Sequence, residues 1–111
     1  MNKEELIGIL KPHLVNMIDI INDINVPMEG SLFFDDQVRG IDFESINDTA
    51  YEKALTLVEF ASDKKELLEI GFNSGFSSLL FLSTNKDIKV TAVDICLYPY
   101  TFPCFQYLKN Y

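Results

Sequence analysis

Residues 66–94 read ELLEIGFNSGFSSLLFLSTNKDIKVTAVD, and this stretch decides the fold. Residues 66–70 form a short, mostly apolar run that predicts a strand, which Gly71 ends. An apolar segment from about Gly75 to Thr84 predicts a helix, and the β-branched residues of 88–93 predict a second strand. A strand, a helix and a strand within about 30 residues make a βαβ unit, which implies a parallel pair and a right-handed crossover.

The bend between the first strand and the helix has the features of a ligand loop. Glu69 lies at the end of the strand, and Gly71 and Gly75 bracket the turn. Glycine has no Cβ, so a ligand can approach the backbone closely, and the free N–H groups at a helix start stabilise a carboxylate or phosphate. Asp94 follows the second strand, where its carboxylate could accept hydrogen bonds from a ribose diol. We therefore expect the bend and Asp94 to lie side by side at one edge of the sheet.

Two common nucleotide motifs are excluded by the same residues. A dinucleotide fingerprint requires G-x-G-x-x-G, but Asn73 occupies the middle glycine position and Ser74 or Phe76 the third. A P-loop requires Gly-Lys followed by Ser or Thr, and this stretch has no lysine at that place. The pattern that remains is E-x-G-x-x-x-G.

The segment Glu69-Ile70-Gly71-Phe72-Asn73-Ser74-Gly75 resembles the first motif of class I S-adenosylmethionine-dependent methyltransferases, particularly the catechol O-methyltransferase-like branch. An aromatic residue and a serine after the last glycine are common there, and Phe76-Ser77 matches them. Val93-Asp94 looks like the second motif of the family. Asn73 departs from the commonest form, which has glycine. The resemblance covers about Glu66 to Ile95.

This resemblance implies an α/β chain with a partial Rossmann-like methyltransferase fold, in which N-terminal helices precede a βαβ unit with parallel strands. It implies S-adenosylmethionine as the cofactor and methyl transfer to an unknown acceptor. Gly71 and Gly75 would shape the loop around the methionine moiety, Glu69 would anchor that loop or the amino group, and Asp94 would hold the ribose hydroxyls. The implied cofactor-binding residues are Glu69, Gly71, Phe72, Asn73, Ser74, Gly75 and Asp94.

Other interpretations of these residues stay open. Gly71 and Gly75 could make a tight turn in any α/β protein, and Asp94 could cap a helix or end a strand in solvent. The chain would then be a non-catalytic methyltransferase-like remnant that acts as a protein-interaction module, or another nucleotide-binding α/β protein.

The chain divides into residues 1–62, an N-terminal helical region with an acidic loop, and residues 63–111, a first βαβ unit that looks truncated. Apolar residues three and four apart predict a first helix. Pro12 lies inside it and predicts a kink or two short helices. The stripe comprises Ile7, Leu10, Leu14, Met17, Ile21 and Ile24.

Further elements are predicted from capping and turn residues. Residues 31–48 form an acidic loop, which we interpret as solvated and not as a cation site. A second helix follows over 49–62, capped by Asn47 or Asp48. The aromatic tail could start another helix after Pro103.

Composition limits the partners. The net charge of −8 argues against nucleic acid and against an anionic membrane surface, because phosphate contacts require Lys or Arg. Cys96 and Cys104 fit no zinc spacing and predict reduced thiols, which suggests a cytoplasmic protein. No metal site, signal peptide or membrane span is expected.

The pattern shows fewer strands than a class I methyltransferase domain has. The acceptor site, the catalytic base and any metal ligands lie further along the chain in that family, so no catalytic residue is named and enzyme activity is left open. We expect the 111-residue chain to be a fragment or one half of a split protein. Its partner would be the missing half of the domain or a second copy in a homo-oligomer.

Overall fold

The computed structural model describes residues 1–110, and these residues form a mixed α/β fold. They contain two parallel strands and four α-helices, and residues 66–94 follow the order strand, helix, strand that the pattern predicts. The elements are α1 (Lys3–Ile24), a 3₁₀ helix (Phe43–Ser45), α2 (Asp48–Ala61), β1 (Glu66–Ile70), α3 (Phe76–Thr84), β2 (Lys89–Val93) and α4 (Thr101–Lys109).

The two strands pair in parallel, which confirms the predicted βαβ unit. Their register places Glu66 beside Lys89 and Ile70 beside Val93. The backbone pairing continues past the strands, because the N–H of Gly71 donates to the carbonyl of Val93 at 2.7 Å. Both strands therefore end at the same edge of the sheet.

The first helix covers the apolar stripe that the sequence predicts. A capping box between Asn2 and Glu5 starts it, and it continues through Pro12 as one helix. Of the two predicted alternatives, a kink or two short helices, the second is therefore wrong. Pro12 cannot donate to the carbonyl of Gly8, but both residues are exposed and water can satisfy that carbonyl. Buried apolar side chains on both sides of Pro12 hold the helix together; they include Leu6, Leu10, Leu14 and Met17.

The helices cover one face of the sheet and leave the other bare. Leu67 and Val90 pack with the helical side chains, whereas Leu68, Ile70 and Val93 face solvent. The main core lies within the helical layer and contains residues of both regions into which the sequence was divided. The two regions thus share one hydrophobic core.

The remaining elements follow the predictions closely. Asn47 caps α2, and residues 31–47 are irregular apart from the 3₁₀ helix and the pairing of Val38 with Met28. The last helix begins at Thr101, earlier than predicted, because Pro103 fits within a first helical turn, where no N–H donor is needed.

Cys96 and Cys104 are free thiols, as predicted. Burial raises the pKa of Cys104 to about 12, so this thiol stays protonated and unreactive at neutral pH. Over residues 1–110, the longest apolar helical stretch falls short of what a bilayer crossing requires.

Candidate functional site

The bend after β1 and the carboxylate after β2 lie side by side, as expected from the sequence. The backbone N–H of Asn73 donates to Oδ2 of Asp94 at 2.7 Å, and the N–H of Cys96 donates to Oδ1 of the same residue at 2.7 Å. A carboxylate has about four acceptor positions, so each oxygen of Asp94 retains capacity for a ligand hydroxyl. Asp94 therefore orders the loop and still offers a binding group.

The two glycines of the motif have different surroundings. Both adopt positive φ angles, +88° at Gly71 and +86° at Gly75, which disfavour any other residue. A Cβ at Gly71 would meet open space, whereas a Cβ at Gly75 would collide with the ring of Phe72 and lie 3.0 Å from Cδ1 of Leu108. A ligand can approach the backbone at Gly71, while Gly75 serves the packing of the loop.

Phe72 and Ser74 point into the protein and not toward solvent. Both residues are buried, and the ring of Phe72 packs edge-on against Phe105 of α4. These two members of the predicted cofactor-binding set therefore hold the loop in place.

Glu69 faces the helical layer and not the sheet edge. Its Oε1 accepts a hydrogen bond from Oγ of Ser78 at 2.6 Å, which ties β1 to α3. Burial raises the pKa of the Glu69 carboxyl, and the hydrogen bond from Ser78 opposes this only in part. Glu69 thus ties β1 to α3 on the covered face of the sheet.

The raised pKa predicts a pH dependence of stability. The folded protein holds the Glu69 proton more tightly than the unfolded chain does, so this residue's contribution to stability is present below the ordinary pKa of 4.5 and is lost as pH rises through the higher folded-state pKa. We expect Glu69→Gln, which keeps the acceptor for Ser78, to become more stable than wild type as pH rises from 4.5 through the folded-state pKa of Glu69. Urea unfolding over a pH series measures this. Glu59→Gln, at an exposed position of α2, is the control, and an equal gain in both variants would contradict the assignment.

We call the bend between β1 and α3, residues 71–75, the ligand loop. A segment after α1, residues 28–38, packs against it, and we call this segment the strap. Its ends pair, because the N–H of Met28 donates to the carbonyl of Val38 at 2.8 Å. Within it, the N–H of Gly30 donates to the carboxylate of Asp36. The strap is thus a closed loop whose backbone carbonyls near Gly30 remain available to the rest of the chain.

Asn73 fastens the strap to the ligand loop. Its side-chain amide donates to the carbonyl of Gly30 at 2.8 Å and also to the carbonyl of Glu29. Its φ of +55° lies in the left-handed region, which asparagine tolerates better than most residues. Asn73 can therefore replace the more usual glycine of the motif and add two hydrogen bonds to a distant segment. Tyr100 also holds the strap near Glu29, because the N–H of Glu29 donates to the Tyr100 hydroxyl at 3.2 Å.

The strap and the ligand loop enclose an open cleft of about 540 Å³, within the size range of small-molecule sites. Three carboxylates border it, from Glu29, Asp36 and Asp94, and none of the residues that the structure places along it is basic. Two apolar residues and one aromatic residue complete its lining after β2. The full lining is Glu29, Gly30, Asp36, Gly71, Asn73, Asp94, Ile95, Leu97 and Tyr98.

Of the seven residues predicted to bind a cofactor, the structure brings Gly71, Asn73 and Asp94 to the cleft. Sequence reasoning missed the contributions of the strap, Glu29 and Asp36. The sequence feature that pointed to them was Asn73 at a motif glycine position. An asparagine side chain there needs a hydrogen-bond partner, whereas glycine needs none. The partner's location could not be found from spacing, because more than 40 residues separate it from the loop.

In the part of the chain that the structure describes, no three His, Cys, Asp or Glu side chains are grouped so that they could hold a metal ion. No protein-family model matches the chain, and no curated protein or solved structure matches it either.

Proposed function

We propose that the cleft binds S-adenosylmethionine and that the chain carries the cofactor-binding part of a Rossmann-like methyltransferase fold. The observation that supports this most is the hydrogen bond between the Asn73 N–H and the Asp94 carboxylate. It holds the Asp94 carboxylate, which would bind the ribose, beside the glycine loop at the carboxyl ends of two parallel strands. That edge is where open α/β sheets bind nucleotides.

The charge of the cleft favours this ligand over phosphate-bearing nucleotides. S-adenosylmethionine carries a positive sulfonium and an α-ammonium group beside its carboxylate. Carboxylates of Glu29 and Asp36 on the strap would attract those cations, and a cleft without a basic residue in its lining would repel a pyrophosphate. The acidic strap thus argues for a cationic adenosyl ligand.

The remaining surfaces suit the other parts of the cofactor. Asp94 would accept hydrogen bonds from the ribose hydroxyls with its unused acceptor positions. Ile95 and the ring of Tyr98, both exposed along the cleft, would cover the faces of an adenine ring. Gly71 would let the methionine moiety approach the backbone, because nothing lies within 4 Å of its missing Cβ.

The reaction that such a cofactor supports is methyl transfer, in which the donor carbon moves from sulfur to an acceptor in line with the breaking bond. The contribution of these residues to that reaction is to hold and orient the donor. Selection of the acceptor and removal of its proton would depend on groups outside the cleft described here.

A second candidate function is a protein-interaction module that retains the βαβ shape without catalysis. One observation favours it: the sheet face opposite the helices is apolar and exposed, at Leu68, Ile70 and Val93. This candidate predicts no binding of adenosyl ligands to the isolated chain.

Calorimetric titration of the chain with S-adenosylmethionine tests the first proposal. We expect Asp94→Ala to weaken binding by roughly 10–100-fold, because hydrogen bonds to a charged group contribute about 1.5–3 kcal/mol. We also expect S-adenosylhomocysteine, which lacks the sulfonium charge, to bind more weakly than S-adenosylmethionine, and ATP to bind more weakly than either.

Asp87→Ala is the matched control for this titration. It removes the same charge from the turn before β2, at the opposite end of the sheet, and should leave binding unchanged. Circular dichroism melts of each variant show whether a loss of binding reflects a loss of fold. Binding that survives Asp94→Ala in a folded protein, or tighter binding of ATP than of S-adenosylmethionine, would contradict the proposal.

A further inference from the structure

The sheet face opposite the helices presents an ordered pattern of side chains, and we call it the bare face. It consists of three pairs of neighbouring residues, one from each strand, fixed by the register. The pairs are Glu66 with Lys89, Leu68 with Thr91, and Ile70 with Val93. Every one of these six residues is exposed. Parallel strands are almost always covered on both faces, so this face is one that a partner would cover.

The apolar part of the bare face lies open to solvent. Leu68 is 63% exposed, Ile70 80% and Val93 53%. Fully burying one such side chain removes on the order of 100 Å² of apolar surface from water. Together these three neighbouring side chains expose about 200 Å² of apolar surface, which a partner would remove from water.

From this arrangement we infer that the bare face binds the bare face of a second copy of the chain, in a two-fold dimer whose axis runs parallel to the strands. Such an axis places β1 of one copy over β2 of the other. Each residue then faces, in the other copy, the residue that is its neighbour in its own sheet. Glu66 faces Lys89 of the other copy, and Ile70 faces Val93 of the other copy. Two ion pairs close one end of the interface and apolar side chains fill the other.

Charge complementarity selects this arrangement over the alternative two-fold. With an axis perpendicular to the strands, β1 would lie antiparallel over β1 of the other copy, and Glu66 would lie over an apolar residue without a counter-ion. Burying an unpaired carboxylate is costly, so the parallel arrangement is favoured. Face-to-face packing at about 10 Å with nearly aligned strands is the usual geometry of two stacked sheets.

The area predicts a weak dimer. The bare face buries less than the roughly 800 Å² per partner of a standard stable interface. The net charge of −8 on each copy adds long-range repulsion, which physiological salt screens beyond about 8 Å. We therefore expect a dissociation constant on the order of 10 µM.

Analytical ultracentrifugation over a concentration series around this value tests the dimer. Leu68→Glu should weaken association by about 100-fold or more, because it buries a charge at the centre of the interface. Phe60→Glu is the matched control: Phe60 on α2 is equally exposed, at 63%, but lies away from the sheet, and this variant should dimerise like wild type.

A mixing experiment tests the register itself. Glu66→Lys alone and Lys89→Glu alone place like charges opposite each other in a homodimer, so each variant should be monomeric. An equimolar mixture of the two should dimerise, because each mutated position then faces an opposite charge. The monomers are unchanged by mixing, so a restored dimer cannot reflect a repaired intramolecular pair.

Four results would overturn the inference. They are a wild-type chain that stays monomeric throughout the series, a Leu68→Glu variant that dimerises normally, a mixture that stays monomeric, and open-ended assemblies in place of a dimer. The last would indicate strand addition at the sheet edges. None of these readouts requires an adenosyl ligand, so the dimer and the proposed function stand or fall separately.

Discussion

Gly75→Ala is expected to destabilise the protein by about 2–4 kcal/mol, of which part is backbone strain at a positive φ and part is overpacking. The φ of +86° disfavours a residue with a Cβ, and that Cβ would collide with the ring of Phe72. The ring cannot move away freely, because it is buried and packs against Phe105. Urea unfolding followed by circular dichroism measures the loss.

Gly71→Ala is the matched comparison for this variant. Its φ of +88° imposes the same strain, but its Cβ would meet open space, so we expect a loss of only about 1–2 kcal/mol. Ligand binding should show the opposite order: Gly71→Ala should weaken it more than Gly75→Ala, because Gly71 lines the cleft and Gly75 does not. Equal losses of stability in the two variants would show that the Phe72 ring does not enforce glycine at position 75.

Tyr100→Ala is expected to destabilise the protein by about 3–5 kcal/mol, as large-to-small substitutions of buried aromatic residues do. Tyr100 is the largest of the fully buried side chains, with 0% exposure, and it lies in the main core just before α4. Its ring stacks on Tyr98, with ring centroids 5.5 Å apart, and its hydroxyl reaches Glu29 of the strap. The substitution therefore removes core volume and support for the strap together.

Tyr100→Phe separates these two contributions. It retains the ring and removes only the hydroxyl that accepts from the N–H of Glu29, so we expect a loss of about 1 kcal/mol. Hydrogen exchange should then show faster exchange in the strap, residues 28–38, with little change in α4. A Tyr100→Phe variant as unstable as Tyr100→Ala would mean that the hydroxyl, and not the ring, holds this region.

Local pattern was sufficient for most of the secondary structure. β-branched residues defined β2, Asn47 capped α2, and the glycines after β1 ended the strand, because each of these signals acts over a few residues. At Pro12 the local rule left two alternatives open, a kink or two short helices. The structure has one continuous helix, because the buried side chains of α1 contact α3 and α4 and that tertiary packing outweighs one missing hydrogen bond.

The candidate site was predictable only in part. The meeting of the ligand loop with Asp94 follows from parallel pairing, which the βαβ pattern predicts. The roles of individual motif residues did not follow from it, because the pattern carries no information on which way a side chain points. Glu69 turns toward Ser78 and Phe72 toward Phe105, and neither lines the cleft.

The sequence by itself determined a βαβ unit with parallel strands, the position of the bend at Gly71 and the carboxylate at the end of the second strand, since spacing and residue type dictate local geometry. Only the tertiary structure decided that the strap closes one side of the cleft through Asn73, and that the opposite sheet face is left bare. Both depend on contacts between segments far apart in the chain, and such contacts are selected by the packing of the whole core.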